Sequence, residues 1–260
     1  MKLKKLDFNG FEHVFVLAFV TVAVAIIGTY LIVGSHAASN NIIDVSYPQC
    51  RGSRAVSGVG GPVGIVGLNK GHILSRNLCA QKQYINFGQN SLYVNTGYTG
   101  QRSYSKSAPC PHNNSICWAY NYGYKAGSYD TAYASSKGLH ANVWWLDVEG
   151  GHCAAGGNPW TSNGTLNQTF LQGMNDAIQR SGVRTVGYYS TTPQWNCITG
   201  NWHPPGGPPT WLALGTPLSD ASAASSRCGT GFTGGPIWLL QYVGSFDIDI
   251  QCGNAFTSSL

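Results

Sequence analysis

The 260-residue sequence predicts an α/β fold: a TIM-type (β/α) barrel, helix-poor in its second half, preceded by one N-terminal transmembrane or signal-anchor helix. Three observations predict it. Eight short apolar runs, each of strand length, are spaced along residues 41–252. Stretches with helical periodicity separate the early runs. The last connections are too short or too rich in proline to hold a helix.

The elements follow in order. Asn41 to Ser46 reads as the first strand and ends in Tyr47-Pro48-Gln49. A Gly/Ser-rich loop runs to Pro62, and Val63 to Leu68 is the second strand, whose glycines imply close packing. Leu78 to Phe87 carries apolar residues at helical spacing, with Gly88 placed to end a helix. Ser91 to Asn95 is the third strand. A cysteine-bracketed loop leads to a helix from about Tyr120 to Ser136, followed by Gly138. The fourth strand is the apolar run Val143 to Leu146, which passes into Asp147-Val148-Glu149-Gly150. Leu166, Phe170, Met174, Ala177 and Ile178 form an amphipathic stripe, and Gly182 suits the end of that helix. Thr185 to Ser190, Pro209 to Leu214, Ile237 to Tyr242 and Phe246 to Ile250 are the remaining strands. Pro204-Pro205-Gly206-Gly207-Pro208-Pro209 excludes a helix between the fifth and sixth. The last two strands lie too close in sequence for a crossover helix. No internal repeat and no second domain are visible.

Composition bounds the compartment. The formal charge is +5, with Lys2, Lys4 and Lys5 supplying part of it, and no dense Lys/Arg run follows, so a nucleic-acid surface is not supported. Val14 to Val33 is a charge-free apolar run long enough to cross a bilayer. Lysines precede it, which predicts a cytoplasmic N-terminus and an exported remainder. Ser35-His36-Ala37-Ala38 offers small residues for cleavage, so an uncleaved anchor and a secreted form released near Ala37/Ala38 both stand. The organisation is a basic N-terminus over 1–13, a membrane or signal segment over 14–33, a linker over 34–40, the barrel over 41–252 and a short tail over 253–260. All eight cysteines follow the apolar run, which reads as disulfides in an oxidising compartment. Cys110 and Cys117 flank a short polar loop and make one local pair. No CxxC is present, and His152-Cys153 is weak as a metal site, so no metal and no cofactor are expected.

Chemistry centres on the fourth strand. Side chains alternate across a strand, so Trp145, Asp147 and Glu149 share one face, while Trp144, Leu146 and Val148 face the other way, toward helices. Two acids at the end of an apolar strand are costly to desolvate. Charged residues are only 10% of this chain, against about 25% in an average protein, yet Asp44, Asp147, Glu149 and Asp249 all fall at ends of apolar runs. In a barrel, active-site groups sit at the C-terminal ends of strands. Asn95, Tyr189, Gln241 and Tyr242 fall there too. Paired carboxylates are the equipment of glycoside hydrolysis. Tyr47, Tyr189, Trp211 and Tyr242 are candidates for stacking on sugar rings, with core packing as the alternative for each.

These motifs resemble the glycoside hydrolase family 25 lysozymes. The similar features are Ile43-Asp44-Val45-Ser46 with Gln49, Asp147-Val148-Glu149, Gly187-Tyr188-Tyr189-Ser190, and Trp238-Leu239-Leu240-Gln241-Tyr242 followed by Ile248-Asp249-Ile250. The sequence also resembles a more divergent group of exported glycoside-hydrolase-like barrel domains. The family resemblance implies a barrel of five β/α units and three plain strands, acting on the β-1,4 bond between N-acetylmuramic acid and N-acetylglucosamine in peptidoglycan. It implies Glu149 as general acid/base, Asp147 as stabiliser of the charged centre or orienter of the acetamido group, and Asp44 and Asp249 completing the acidic cluster. Asp247 stands as an alternative to Asp249. The implied partners are cell-wall glycan and, through the N-terminal helix, a membrane. Two other functions fit the same barrel: non-catalytic glycan binding at the wall, and hydrolysis of another polysaccharide.

Overall fold

The computed structural model describes residues 42–50, 60–154, 157–217, 226–243, 247–253 and 256. The apolar run 14–33 and the linker after it lie outside the described residues. Among the described residues no helix is long and apolar enough to cross a membrane.

Eight strands close into a barrel in sequence order: β1 (Ile42–Val45), β2 (Gly61–Gly67), β3 (Phe87–Asn95), β4 (Val143–Asp147), β5 (Thr185–Ser190), β6 (Thr210–Pro217), β7 (Ile237–Val243) and β8 (Ile248–Gln251). β1 to β7 are parallel to their neighbours, whereas β8 runs antiparallel to both β7 and β1. Among the described residues four α-helices accompany the strands as far as β6: α1 (Ala80–Tyr84), α2 (Ser115–Ser136), α3 (Gly164–Arg180) and α4 (Thr192–Thr199). Among the described residues β6, β7 and β8 follow one another with no α-helix between them, as the short last connection predicts for β7 and β8.

Strand alternation sorts the core into two compartments. Ile42, Ile65, Val143, Trp145, Trp211 and Leu239 point into the barrel. Leu92, Val94, Trp144, Leu146, Val186 and Tyr188 point outward and pack against helix residues such as Phe170, Met174 and Ile178. Trp144 therefore faces the helices, as alternation predicts. The barrel wall carries glycine where an aromatic ring needs the space. A Cβ on Gly187 would lie 2.3 Å from the Trp145 ring, so glycine on β5 is what lets Trp145 fill the barrel. The α2 and α3 backbones also meet closely: a Cβ on Gly173 would sit 2.1 Å from the Tyr120 carbonyl oxygen.

Helix ends follow local chemistry. Asn114 caps α2 by accepting from the Cys117 backbone N–H at 2.9 Å. At its far end Gly138 takes φ 68°, and the Leu139 and Gly138 N–H groups bond the Ala134 and Ser135 carbonyls at 3.0 and 3.1 Å, the Schellman pattern. Asn163 caps α3, and Gly182 follows its end at φ 100°.

Two expectations are corrected. The stretch Leu78 to Phe87 is not one helix. Only Ala80–Tyr84 is helical, and Leu78 and Ile85 are each 72% exposed, so their helical spacing marks no buried face. Phe87 instead opens β3, with its ring over Gly64 on β2. The expectation of no helix between the fifth and sixth strands is overturned: α4 fits ahead of the proline run 204–209, and its signals are in the sequence, with Thr191 as N-cap, Pro193 in the first turn and Gly200 in the left-handed conformation after the last residue.

All eight cysteines pair: Cys50–Cys79, Cys110–Cys117, Cys153–Cys197 and Cys228–Cys252. The local Cys110–Cys117 pair is the one that loop length suggests.

Candidate active site

The C-terminal end of β4 builds the site. Asp147 is its last residue and points inward, level with Asn95 on β3 and Tyr189 on β5. The backbone there is fixed on both sides. Thr96 donates to the Asp147 carbonyl from its backbone N–H (3.0 Å) and its hydroxyl (2.6 Å), and the Val148 N–H donates to the Tyr189 carbonyl at 2.9 Å. Glu149 is the first acid beyond the strand. Gly150 follows with φ 92° and ψ −148°, a region open essentially to glycine alone, so the chain can turn at once and leave Glu149 at the rim. The Trp160 indole N–H donates to the Glu149 carbonyl at 3.0 Å and holds the turn.

A cleft of about 150 Å³ opens at this end of the barrel, lined by Asp44, Tyr93, Asp147, Glu149, Tyr189, Trp211, Gln241 and Asp247. Four of the eight are acids, and none is a cation. Polar links order the floor. The Tyr189 hydroxyl donates to Gln241 Oε1 at 2.6 Å, and Gln241 Nε2 donates to Asp44 Oδ2 at 2.6 Å, a chain from β5 through β7 to β1. Asn95 Nδ2 donates to Asp147 Oδ2. Asn69 in turn exchanges bonds with the Asn95 backbone, at 2.9 and 3.1 Å. The aromatic side of the floor is Trp211, with its ring centroid 4.4 Å from Tyr189 and 5.9 Å from Tyr93.

The crowding of acids sets their protonation. Burial, then Asp247 and Glu149, hold the Asp44 carboxyl well above its ordinary value, against the Gln241 bond that lowers it. Burial, then Glu149 and Asp44, do the same to Asp147 against the Asn95 bond. Glu149 is raised chiefly by burial and also by Asp247, while its bond from Gln194 pulls the other way. Burial raises Asp247 too. Neighbouring carboxyls of this kind share protons rather than ionise together, which yields one acid able to donate and another able to stay charged. Burial and the nearby carboxylates raise the phenols of Tyr93 and Tyr189 far above their ordinary range, so both remain hydrogen-bond donors.

The structure gathers Asp44, Asp147, Glu149, Tyr189, Trp211 and Gln241 at the cleft, with Asn95 directly behind Asp147. Three expected site residues lie elsewhere. Asp249, paired with Gln241 of β7, is fully buried and does not line the cleft; its Oδ1 accepts from the Trp211 indole N–H at 2.6 Å, and Asp44 and Asp247 act on its carboxyl, so it stays part of the acidic cluster while Asp247 takes the place at the cleft. The reason is direction. β8 is antiparallel, so its beginning, not its end, lies at the mouth. Tyr242 is buried outside the barrel in a cluster with Ile237 and Leu240, because alternation on β7 can aim only one of Gln241 and Tyr242 inward. Tyr47 does not line the cleft; its ring lies under the Lys70 ammonium, 4.8 Å from the centroid. Tyr93 and Gln194 were missed. Tyr93 shares a strand face with Asn95, a period-two signal that marks it. His152 and the Cys153–Cys197 sulfurs cluster, but both sulfurs are spent in the disulfide.

Comparisons with known proteins fit this geometry. A family model described as Lysozyme-like protein 1 matches residues 116–222. A curated relative, Probable GH family 25 lysozyme 5 of Dictyostelium discoideum, is 35% identical over 69 residues, which is 26% of this chain and 30% of the relative. The match thus spans less than a third of that relative's length. Among solved structures, the bacterial lysozyme of Streptomyces coelicolor superposes with TM-score 0.50 and 18% identity, over 82% of this chain and 91% of that one. The muramidase of Acremonium alcalophilum gives TM-score 0.50 and 15% identity, over 83% and 94%. At such identities the superpositions speak for the fold. The chain therefore resembles the glycoside hydrolase family 25 lysozymes, in fold across the barrel and in sequence across part of it.

Proposed function

We propose that the chain is an exported, lysozyme-like glycoside hydrolase that cleaves β-1,4 bonds of peptidoglycan by carboxylate acid/base catalysis. The observation that carries this reading is the convergence of Asp44, Asp147, Glu149 and Asp247 on one aromatic-floored cleft at the mouth of the barrel. The names of the solved relatives, a lysozyme and a muramidase, supply the substrate class.

Glu149 stands at the rim, partly exposed, with its carboxyl raised. In its protonated form it gives a proton to the glycosidic oxygen as the bond from that oxygen to C1 breaks, and the leaving sugar departs as an alcohol. Positive charge develops at C1 and the ring oxygen. Asp147, held by Asn95, stabilises that charge, directly as a carboxylate or through the substrate acetamido group it orients. Glu149, now ionised, accepts a proton from the water that attacks C1, and the starting state returns. Asp44 and Asp247 share protons with the same cluster, and whichever carboxyl is ionised adds negative potential beside the developing cation. Tyr189, partly exposed, offers a ring face to the sugar, while Trp211 is buried and packs against Tyr189 as part of the core.

Export is supported by the pairing of all eight cysteines and by the apolar run behind the N-terminal lysines. That segment anchors the protein in the cell membrane with the barrel outside, or is removed near Ala37/Ala38; the N-terminal sequence of the mature protein distinguishes the two. The function is tested by incubating purified protein with peptidoglycan and, separately, with chitin, and measuring soluble fragments and new reducing ends. Release of muropeptides ending in a reducing N-acetylmuramic acid is expected. Release from chitin alone gives the function to another polysaccharide, and binding without release gives it to a wall-binding protein.

A further inference from the structure

We propose that Gln194 is a positioning residue that clamps the proton donor Glu149 in its working orientation. The proposal rests on the reading of Glu149 as the acid. One side-chain amide makes both contacts: Gln194 Nε2 donates to Glu149 Oε1 at 3.3 Å, and Gln194 Oε1 accepts from the Gly150 backbone N–H at 2.7 Å. It thereby ties the carboxyl to the backbone beside it, at the turn where Glu149 leaves the sheet.

The origin of the clamp is unusual. Gln194 is the third residue of α4, after the N-cap Thr191, whose hydroxyl accepts from the Gln194 backbone N–H at 3.3 Å. In a Thr-x-x-Gln start the glutamine side chain ordinarily returns to the N-cap backbone N–H. Here it reaches across to the turn that follows β4. The disulfide Cys153–Cys197 joins α4 to the turn after Gly150, so the two ends of the clamp are covalently linked.

The choice of an amide suits an acid catalyst. The groups that line the cleft with Glu149 are Asp44, Asp147 and Asp247 and the phenols of Tyr93 and Tyr189. A lysine or arginine at position 194 would pull the Glu149 proton off, and a carboxylate would repel the ionised form. A neutral amide orients the carboxyl in both protonation states that the reaction visits. Its bond favours the ionised form and tempers the upward push of burial and Asp247.

The sequence makes a direct test practical, because Glu149 and Glu12 are its only glutamates. The full chain labelled with carboxyl-¹³C glutamate gives two titrating signals, and Glu149→Gln identifies the one from position 149. Gln194→Met removes the donor at nearly constant size. Gln194→Glu keeps an acceptor for Gly150 but replaces the donor with a like charge. The Glu149 midpoint is expected to rise in Gln194→Met and further in Gln194→Glu, where the double variant Glu149→Gln/Gln194→Glu identifies the third glutamate signal, the one that position 194 adds. On peptidoglycan, kcat is expected to fall roughly 10-fold in Gln194→Met, a part of the about 10²–10⁴-fold that general acid catalysis supplies, with KM little changed. The alkaline limb of kcat/KM is expected to move up in the same order. A merely structural role would lower activity at all pH values and leave the limb in place. Unchanged midpoints in variants folded by circular dichroism overturn the clamp, whether or not the wild type hydrolyses glycan. Midpoints that move as expected in an inactive wild type uphold the clamp and overturn the hydrolase.

Discussion

Asp130 sits in the middle of α2, fully buried, with neither carboxylate oxygen hydrogen-bonded among the described residues. Burial raises its carboxyl well above the ordinary value. A carboxyl raised in the folded state contributes stability that is fully present below the ordinary value and is lost as pH rises through the folded one. Asp130→Asn cannot ionise, so it is expected to melt higher than wild type at about pH 8 and close to wild type at about pH 4.5. A variant that melts lower at both would show a role for the ionised carboxylate. At this scale the sequence is legible where strand position and alternation agree. Alternation marks Asp147, and a place at the C-terminal end of a strand marks Tyr189 and Gln241; all three line the cleft. Tyr242 has the right position but the wrong face, since adjacent residues of a strand cannot share one. Asp249 was misplaced because position in a strand says nothing of strand direction, although the short β7–β8 connection already required an antiparallel return.

α4 is the element that sequence reading missed and the proposed site most depends on. It carries Gln194, and Cys197 ties it to the turn behind Glu149. With eight residues it is too short for an apolar stripe to announce it, and only its caps do. The disulfide pairing was likewise out of reach: eight cysteines allow 105 connectivities, and only the seven-residue Cys110–Cys117 loop selects itself. Cys153–Cys197 closes 44 residues of sequence. Loss of a native disulfide typically costs about 2–5 kcal/mol, and at about 2–4 °C per kcal/mol in a domain of this size the double variant Cys153→Ser/Cys197→Ser is expected to melt roughly 4–20 °C lower. Its kcat at a temperature where it is fully folded is expected to fall too, because the clamp loses its covalent tie. Full kcat in the folded double variant would confine the bond to stability.

At the scale of the molecule, six carboxyls among the described residues shift in one direction. Asp44, Asp130, Asp147, Glu149, Asp247 and Asp249 are all raised, in each case chiefly by burial. Above the ordinary carboxyl range the folded state therefore holds more protons than the unfolded chain, and stability falls as pH rises through the raised values. The melting temperature is expected to be higher at about pH 5 than at about pH 8, the reverse of a protein whose carboxylates are ion-paired. Calorimetry across that window checks it, and a melting temperature that drops on acidification from pH 8 to 5 contradicts it. The architecture itself is readable because eight apolar runs and the short last connection leave few topologies open. The boundaries of β3 and α1 were not, because Leu78 and Ile85 imitate a helical stripe that no partner covers.

The most direct test of the account is Glu149→Gln. The amide keeps the shape of the side chain and can still meet Gln194, but it cannot protonate a glycosidic oxygen. Wild type and variant, both folded by circular dichroism, are compared on one batch of purified peptidoglycan. The variant is expected to bind the glycan as wild type does and to release fragments at least about 10²–10⁴-fold more slowly. Equal rates of release by the two proteins would contradict the assignment of Glu149 as the acid.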